Sequence, residues 1–358
     1  MSEGPDRDLP GDLGAIFRRL IRSTGPISLA PFMGESNARY YAHRDPLGSA
    51  GDFVTAPEIS QMFGELIGLW LADVWLRAGR EEPVLYVELG PGRGTLAKDA
   101  LRAGKRYGLA PEVHFVEAST ALREIQEKAM PGAVWHADLS TVPQDAPMLL
   151  VANEFLDALP VRQLVRAAEG WRERMVGLDG ERFVFLAGAQ PMDEAVPPDW
   201  REAAQGTLLE TSPGAAAVTY EIAGRLAEQG GAALVIDYGS TELRAGSTLQ
   251  AVRAHEKVDP FAAPGEADLT AHVDFATLAR IAEARGVKHL GTVTQGRWLR
   301  ALGIDTRAQN LAKRAPHYAE EIELARQRLV ADDQMGLLFK VMGLAAPAWP
   351  GGVGFEGE

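Results

Sequence analysis

The alternation of strand and helix patterns between residues 83 and 152 constrains the fold more than any other feature of the sequence. Short apolar runs of strand length alternate there with segments of helical periodicity. The predicted strands cover 84–89, 112–117, 133–136 and 147–152, and the predicted helices cover 94–107 and 119–129. Strands that alternate with helices form right-handed crossovers and a parallel sheet covered on both faces. The sequence therefore predicts a doubly wound α/β core.

Later patterns extend this core and interrupt it once. They predict a helix over 214–228, a buried strand over 232–239, a helix over 274–285, a strand near 287–293, two helices within 297–331 and a final strand over 336–342. Asp179-Gly180 separates two strand-like runs, which is a strong hairpin signal. We therefore predict an inserted antiparallel β-hairpin region over about 161–213.

The residues before the core predict a helical extension over 1–82. Apolar spacing from Leu13 to Ile21 indicates a helix, and a nearly all-round apolar pattern after Pro57 indicates a long, buried one. Residues 34–57 lack such periodicity and are predicted to form a long substrate-side loop. The core domain is predicted over 83–345, and the Pro/Gly-rich residues 346–358 are predicted to be a flexible tail.

A glycine-rich turn follows the first predicted strand. Glu88 precedes Gly90, Gly92 and Gly94, but residue 95 is Thr, so the dinucleotide pattern G-x-G-x-x-G is incomplete. An acid at this place would repel a pyrophosphate, yet it suits a ligand with a cationic amino acid head and no phosphate. S-adenosylmethionine is such a ligand, and these four residues are its predicted contacts. The alternative is a tight turn that binds nothing.

Acids also follow the second and third predicted strands. Ligands of open α/β sheets bind at the carboxyl ends of the strands. Glu117 follows the second strand at a spacing that suits an acid accepting both ribose hydroxyls. Asp138 follows the third strand, where it is predicted to bond the adenine amino group. Capping of its own turn is the equally weighted alternative for Asp138.

An amide and two acids follow the fourth predicted strand. Asn153 is a natural N-cap and a predicted cofactor contact, and Glu154 and Asp157 are spaced to project on one side of a helical turn. If the methyl acceptor is a guanidinium, carboxylates must hold it by bidentate bonds and take its proton during attack. Glu154 and Asp157 are therefore predicted catalytic residues. The alternative is that they only complement a helix dipole.

Two loops add further candidates. Asp52, Phe53 and Glu58 belong to a dense cluster over 51–64 and are predicted to contact the substrate. For Glu58 the alternative is a partner for a helix dipole. His272, within 268–275, is a predicted catalytic base, with a structural histidine as its alternative.

Composition narrows the class of partner and cofactor. The net charge of −13 disfavours nucleic acid and favours a basic protein or peptide substrate. The chain has no cysteine, and its seven histidines lack metal-ligand spacing, so no metal is implied. No apolar run is long enough for a membrane span, and the acidic start is unlike a signal or transit peptide. We expect a bacterial cytoplasmic location rather than the mitochondrial matrix.

Several of these motifs, in this order, resemble the MidA-type family. They are 51–64, 87–96, 153–155 with 157–160, 237–239 and 268–275, and the resemblance extends from about residue 12 to 345. The mitochondrial members are the complex I assembly factor that acts as a protein arginine methyltransferase. The resemblance implies a class I methyltransferase domain over 83–345, Rossmann-like and mostly parallel with its last strand antiparallel. It also implies S-adenosylmethionine as cofactor and symmetric dimethylation of an arginine on a hydrogenase-like complex I subunit.

The leading hypothesis is thus that the chain is an S-adenosylmethionine-dependent protein arginine N-methyltransferase and a bacterial member of the MidA-type family. Two rivals remain open. One is a small-molecule methyltransferase, which predicts a closed pocket capped by the insertion over 161–213. The other is a non-catalytic complex I assembly chaperone that binds its partner through loops 34–57 and 240–272.

Overall fold

The computed structural model describes residues 12–43 and 54–356. Within these ranges the α-helices are α1 (Leu13–Thr24), α2 (Leu29–His43), α3 (Ala56–Ile59), α4 (Gln61–Arg77), α5 (Thr95–Gly104), α6 (Thr120–Ala129), α7 (Pro213–Gln229), α8 (Phe275–Ala284), α9 (Gln295–Ala301), α10 (Ile304–Arg314), α11 (Ala319–Val330) and α12 (Met335–Leu338). The strands are β1 (Ile27–Ser28), β2 (Leu85–Leu89), β3 (Glu112–Val116), β4 (Val134–His136), β5 (Met148–Asn153), β6 (Arg162–Ala167), β7 (Gly170–Asp179), β8 (Arg182–Pro191), β9 (Leu208–Thr211), β10 (Gly231–Ser240), β11 (Gln250–Arg253), β12 (Glu256–Val258), β13 (Asp268–Thr270), β14 (Val273–Asp274), β15 (Lys288–Thr294) and β16 (Phe339–Ala345). No helix in these ranges has both the length and the apolar character that a bilayer span requires.

The described chain divides into two compact units. Unit 1 contains the residues up to His43 together with Ala158–Pro213 and Arg244–Ala271. Unit 2 contains the residues from 54 to Asp157 together with Gly214–Leu243 and those from His272 onward. The N-terminal helices are shared between the units, since α1 and α2 belong to unit 1 whereas α3 and α4 belong to unit 2.

Unit 2 is built on one large sheet. Its strand order is β15-β16-β10-β5-β2-β3-β4, and β14 pairs with the end of β10. The pairs that join β2 to β3, β3 to β4, β2 to β5 and β5 to β10 are parallel. The last strand, β16, is antiparallel to both β10 and β15. This topology confirms the predicted Rossmann-like α/β sheet, which is mostly parallel with its last strand antiparallel.

The core of unit 2 is organised around α4. The Ser60 hydroxyl accepts the amide of Met62 and caps the helix start, while Trp70 and Leu71 are almost fully buried. One hydrophobic cluster joins α4 to the buried faces of β2, β5 and β10. An all-round apolar helix is stable only when it is surrounded, and burying its side chains stabilises the unit by about 1.5–3 kcal/mol each.

The C-terminal residues up to 356 differ from the flexible tail that the sequence predicts. Trp349 and Phe355 are buried in the same hydrophobic cluster as α4. The indole N–H of Trp70 donates to the carbonyl of Val353 at 3.2 Å. The Pro and Gly content indicates an irregular backbone here, but the two large aromatic side chains anchor that backbone to the core.

Unit 1 contains the predicted antiparallel insertion. Its main sheet follows the path β1-β7-β6-β9, and β8 also pairs with β7. A second sheet contains β11 paired with β12 and β13. The β7–β8 hairpin closes at the pair Asp179 and Arg182, as Asp179-Gly180 predicted. Phe17 of α1 and Phe32 of α2 lie 4.7 Å apart, centroid to centroid, in the core of this unit.

Two local predictions are wrong. The loop predicted to start at Gly34 is helical as far as His43, because α2 buries Met33 and Asn37 and is held by tertiary contacts. The Asn37 amide group donates to the carbonyls of Ala158 and Leu269. The region over 297–331, predicted to hold two helices, contains three, α9 to α11, and a fourth helix, α12, precedes β16.

Candidate active site

The glycine-rich turn joins β2 to α5 at the carboxyl end of the sheet in unit 2. Gly90, Gly92 and Gly94 have φ values of +61°, +55° and +79°, a region that side-chain-bearing residues rarely adopt. A Cβ atom on Gly90 would lie 2.8 Å from the Phe155 ring. The turn therefore requires glycine both for its backbone conformation and for its close packing.

Glu88 lies just before the turn and is 2% exposed. The Tyr86 hydroxyl donates to its Oε2 at 2.6 Å. Burial raises the pKa of Glu88 to about 8, and the Tyr86 hydrogen bond only partly opposes this increase. The structure thus places a carboxyl group of high proton affinity at the predicted cofactor turn.

Replacing Glu88 by glutamine is expected to stabilise the ligand-free protein at alkaline pH. When folding raises the pKa of a carboxyl group, the group ionises more readily in the unfolded state than in the folded state. The free energy of unfolding therefore decreases as pH rises from the pKa of the unfolded state, about 4.3, to the pKa of the folded state. Because that folded pKa is about 8, we expect the free energy of unfolding of Glu88→Gln to exceed that of the wild type by roughly 5 kcal/mol at about pH 9 and to match it near pH 4.5. Denaturant unfolding at both pH values measures the difference.

Glu65→Gln is the matched control for this prediction. Glu65 is also buried, but it accepts hydrogen bonds from Arg102 at 3.1 Å and from Arg307 at 2.7 Å. Its replacement breaks ion pairs and should destabilise the protein at neutral and alkaline pH. Equal stability of wild type and Glu88→Gln at about pH 9 would contradict the assignment of a raised Glu88 pKa.

Glu117 follows β3 and is held by two donors. Its Oε1 accepts the Ser119 amide at 2.7 Å and its Oε2 accepts the Gln126 side-chain amide at 3.2 Å. Burial raises the pKa of Glu117, against the effect of these bonds and of the Arg123 charge. Sequence reasoning missed Gln126, because a glutamine in an amphipathic helix looks like an ordinary surface residue.

Asp138 follows β4 and is exposed. Its carboxylate accepts the Ser140 amide at 2.8 Å and caps the short 3₁₀ turn Leu139–Thr141. These hydrogen bonds lower the pKa of Asp138. The capping alternative is therefore present in the structure, and the adenine contact stays a prediction.

Asn153 and Glu154 differ from the expected helix start. Asn153 is the last residue of β5 and caps no helix, because the chain after it forms bends and a turn over 154–159, with a φ of +50° at Glu154. The Asn153 side-chain N–H donates to Glu154 Oε1 at 3.1 Å, and that oxygen also accepts the amide of Ala56 at 2.9 Å. Asn153 Oδ1 is buried and has no hydrogen-bond partner within the described part of the chain.

Asp237 explains why the chain after Asn153 turns and does not form a helix. The residue is fully buried in β10, and its Oδ2 accepts the amides of Phe155, Leu156 and Asp157 at 3.2, 3.0 and 3.2 Å. The Asp237 carboxylate thus accepts hydrogen bonds from the three N–H groups that, at the start of a helix, would need an N-cap residue as acceptor. Burial raises the pKa of Asp237, and the nearby charges of Asp157 and Glu154 raise it further. We did not predict Asp237 as a site residue, although, like Glu88, it is an acid near the end of a buried strand.

Glu154 and Asp157 are brought together with Asp237 at the carboxyl ends of β5 and β10. Asp157 is 7% exposed. Burial raises the pKa of Glu154 to about 7, the Asp157 charge contributes to the rise, and the hydrogen bond from Ala56 opposes it. Such a pKa is suited to proton transfer near neutral pH.

The remaining candidates have different positions. Glu58 Oε1 accepts the Thr95 hydroxyl at 2.5 Å, so this acid contacts the end of the glycine turn, and its substrate contact stays a prediction. The ring of His272 lies 5.4 Å from that of Tyr238, beside the carboxyl end of β10, and its role as base is likewise untested. Asp52 and Phe53 lie outside the described residues.

Sequence comparison agrees with this geometry. Residues 66–293 match a family described as "Putative S-adenosyl-L-methionine-dependent methyltransferase". The chain is 37% identical over 364 residues to mitochondrial protein arginine methyltransferase NDUFAF7 of Mus musculus. This alignment covers 90% of this chain and 82% of the mouse protein. The Homo sapiens protein of that name is 36% identical over 364 residues, covering 90% and 81%. The chain belongs to this methyltransferase family.

Solved structures extend the comparison. A crystal structure from Burkholderia thailandensis bound to S-adenosyl-homocysteine has a TM-score of 0.84 at 29% identity and covers 96% of this chain and 94% of that chain. A native structure from the same organism has a TM-score of 0.78 at 29% identity, with coverages of 96% and 92%. These comparisons confirm the MidA-type resemblance, the methyltransferase class and S-adenosylmethionine as cofactor.

The residues at the glycine turn fit the cofactor of this methyltransferase family. Gly90, Gly92 and Gly94 carry no side chains, so a ligand can approach the backbone of the turn closely. Asn153 Oδ1 is a buried acceptor that lacks a partner in the described chain, and Glu117 presents a carboxylate fixed in orientation. An amino acid head and a ribose supply the donors that these acceptors need.

Proposed function

We propose that the chain is an S-adenosylmethionine-dependent protein arginine N-methyltransferase. The observation that carries this proposal is the cluster of three carboxyl groups, Glu154, Asp157 and Asp237, beside the glycine turn. An acceptor that is cationic throughout the physiological pH range explains why so many acids occupy one buried place. The names of the similar proteins, which are arginine methyltransferases, support the same choice.

The cofactor is proposed to lie along the carboxyl ends of β2 to β5. The backbone at Gly90, Gly92 and Gly94, which carries no side chains, is proposed to contact it, and Glu88 and Asn153 are proposed to face its amino acid head. Glu117 accepts the ribose hydroxyls, and Asp138 lies towards the adenine. When bound, S-adenosylmethionine supplies a methyl group on a sulfonium that is open to in-line displacement.

The acceptor is proposed to be held by Asp157 and Glu154. A carboxylate can bind two N–H groups of a guanidinium in parallel, which fixes the orientation of the attacking nitrogen. Asp157 is buried and Glu154 is partly buried, which limits the access of water to that nitrogen. Glu154, with its pKa raised to about 7, is suited to receive the proton that the guanidinium loses. His272 is the alternative base.

The resemblance to the MidA-type family narrows the proposed substrate further. It implies a protein substrate with an exposed arginine, a hydrogenase-like complex I subunit, and symmetric dimethylation. Asp52, Phe53 and Glu58 are proposed to contact this protein. The similar proteins are mitochondrial by name, and a bacterial cytoplasmic location for this chain stays our prediction.

Mass spectrometry provides the decisive test. Proteomes of cells with and without this chain should differ in arginine methylation, and the purified full-length protein should restore the lost mark on the affected protein. Fragmentation of the product distinguishes monomethyl, symmetric and asymmetric dimethyl arginine. If cells without this chain lose methylation only on small metabolites and on no protein, the small-molecule methyltransferase hypothesis is correct instead.

A cofactor-free variant separates catalysis from chaperoning. Gly92→Val is expected to abolish cofactor binding, because a β-branched residue is strained at a φ of +55°. If catalysis is the function, this variant fails to restore the methyl mark and the assembly of the partner. Restoration of partner assembly by Gly92→Val would support the non-catalytic chaperone instead.

A further inference from the structure

Gln126 occupies a central position between the two parts of the proposed cofactor site. It lies on α6 and is fully buried. Its side-chain N–H group donates to the carbonyl of Gly92 at 2.8 Å and to Glu117 Oε2 at 3.2 Å. Its Oε1 accepts the indole N–H of Trp135 at 2.8 Å. One amide thus connects the glycine turn, the carboxylate after β3 and the strand β4.

The orientation of this amide is fixed by its partners. An indole N–H can only donate, so the oxygen of Gln126 must face Trp135. The Gly92 carbonyl and the Glu117 carboxylate can only accept, so the nitrogen must face them. Neither hydrogen of the NH₂ group nor the oxygen is left without a bond, and a side chain of other chemistry cannot satisfy all three neighbours.

We propose that Gln126 is a positioning residue that sets the distance and orientation between the glycine turn and the ribose carboxylate of Glu117. The proposal rests on the placement of the cofactor against Gly90–Gly94 and Glu117 given above. Through the Gly92 carbonyl Gln126 fixes the backbone of the turn, and through Glu117 Oε2 it fixes the carboxylate. Both are held before the cofactor binds, which reduces the ordering cost of binding.

Gln126→Glu tests the proposal by replacing the NH₂ donor of the side chain with a carboxylate oxygen, which accepts hydrogen bonds. The new carboxylate keeps an acceptor for Trp135, but it presents an acceptor instead of a donor to Gly92 and Glu117. We expect the Kd for S-adenosylhomocysteine, measured by calorimetry on the full chain, to rise about 100-fold at pH 8.5. Gln126→Met, which removes the polar group, should raise the Kd about 10-fold.

The pH dependence distinguishes positioning from a general loss of structure. The titratable and charged groups near the amide are Glu117, Arg123 of α6 and His136 of β4. In Gln126→Glu, protonation of the new side chain restores a donor, so the Kd should decrease about 5-fold or more from pH 8.5 to pH 6. In the wild type the Kd should not decrease over that range, because protonation of Glu88, whose pKa is about 8, or of Glu117 only weakens the bonds of these carboxyl groups to donors of the ligand.

Controls keep the outcomes separate. Gln295 is also fully buried in unit 2, where its side-chain N–H donates to the carbonyl of Leu329, so Gln295→Met reports the effect of losing a buried amide elsewhere. Glu117→Gln tests the cofactor placement itself. If Glu117→Gln leaves the Kd unchanged, that placement is wrong. If Glu117→Gln weakens binding while Gln126→Met binds like Gln295→Met and Gln126→Glu shows no decrease in Kd at low pH, the role of Gln126 is overturned.

Discussion

Gly90→Val is expected to raise the Kd for S-adenosylmethionine by about 1,000-fold, because two independent costs fall on the glycine-rich turn proposed to bind it. A valine at a φ of +61° is strained wherever it lies. In addition, its Cβ would lie 2.8 Å from the Phe155 ring, so either the turn or the ring must move. Phe155 follows Glu154, and its displacement would also disturb the turn that Asp237 holds.

Gly108→Val provides a matched control for Gly90→Val. Gly108 has a φ of +88°, but a Cβ atom there meets nothing within 4 Å. Both variants should lose stability through backbone strain, by about 1–3 kcal/mol. Only Gly90→Val should lose cofactor affinity, as measured by calorimetry below each variant's melting temperature. Cofactor binding by Gly90→Val that equals that of Gly108→Val would show that the turn does not contact the cofactor.

The sequence predicts the sheet and the glycine-rich turn after β2 because both depend on local patterns. Buried strands and amphipathic helices have periods that can be recognised within one element. Glu88 and the three glycines form a contiguous motif, and the parallel topology brings Glu117 and Asn153 to the same edge of the sheet. Each of these inferences uses only one element and its neighbour in the chain.

The remaining features depend on contacts between distant parts of the chain. The helix start expected at Asn153 is replaced by a turn because Asp237, about 80 positions later, accepts three amides. No propensity near residue 153 contains that information. Trp349 similarly lies in the core although prolines and glycines are frequent in the residues around it, since burial of an indole outweighs a weak local preference for disorder.

Asp157→Asn is expected to lower kcat for arginine methylation by about 10²–10⁴-fold, if this carboxylate holds the guanidinium and assists its deprotonation. An amide is nearly the same size, but it presents an N–H group to a cationic acceptor and cannot neutralise its charge. Asp157 is 7% exposed, so water cannot replace the missing charge. Calorimetry should show that S-adenosylmethionine binding changes much less than kcat, because the glycine turn and Glu117 are retained.

The Asp157→Asn variant also makes a prediction about pH. The charge of Asp157 contributes to the raised pKa of Glu154, which is about 7. Its removal should lower that pKa, so residual activity should persist to lower pH than in the wild type. Asp99→Asn is the control, since Asp99 is a buried acid of α5 that pairs with Arg102 at 2.8 Å, and it should retain wild-type kcat and pH dependence. If Asp157→Asn methylates arginine as fast as the wild type, Asp157 does not hold the guanidinium, and the acidic cluster no longer supports an arginine substrate.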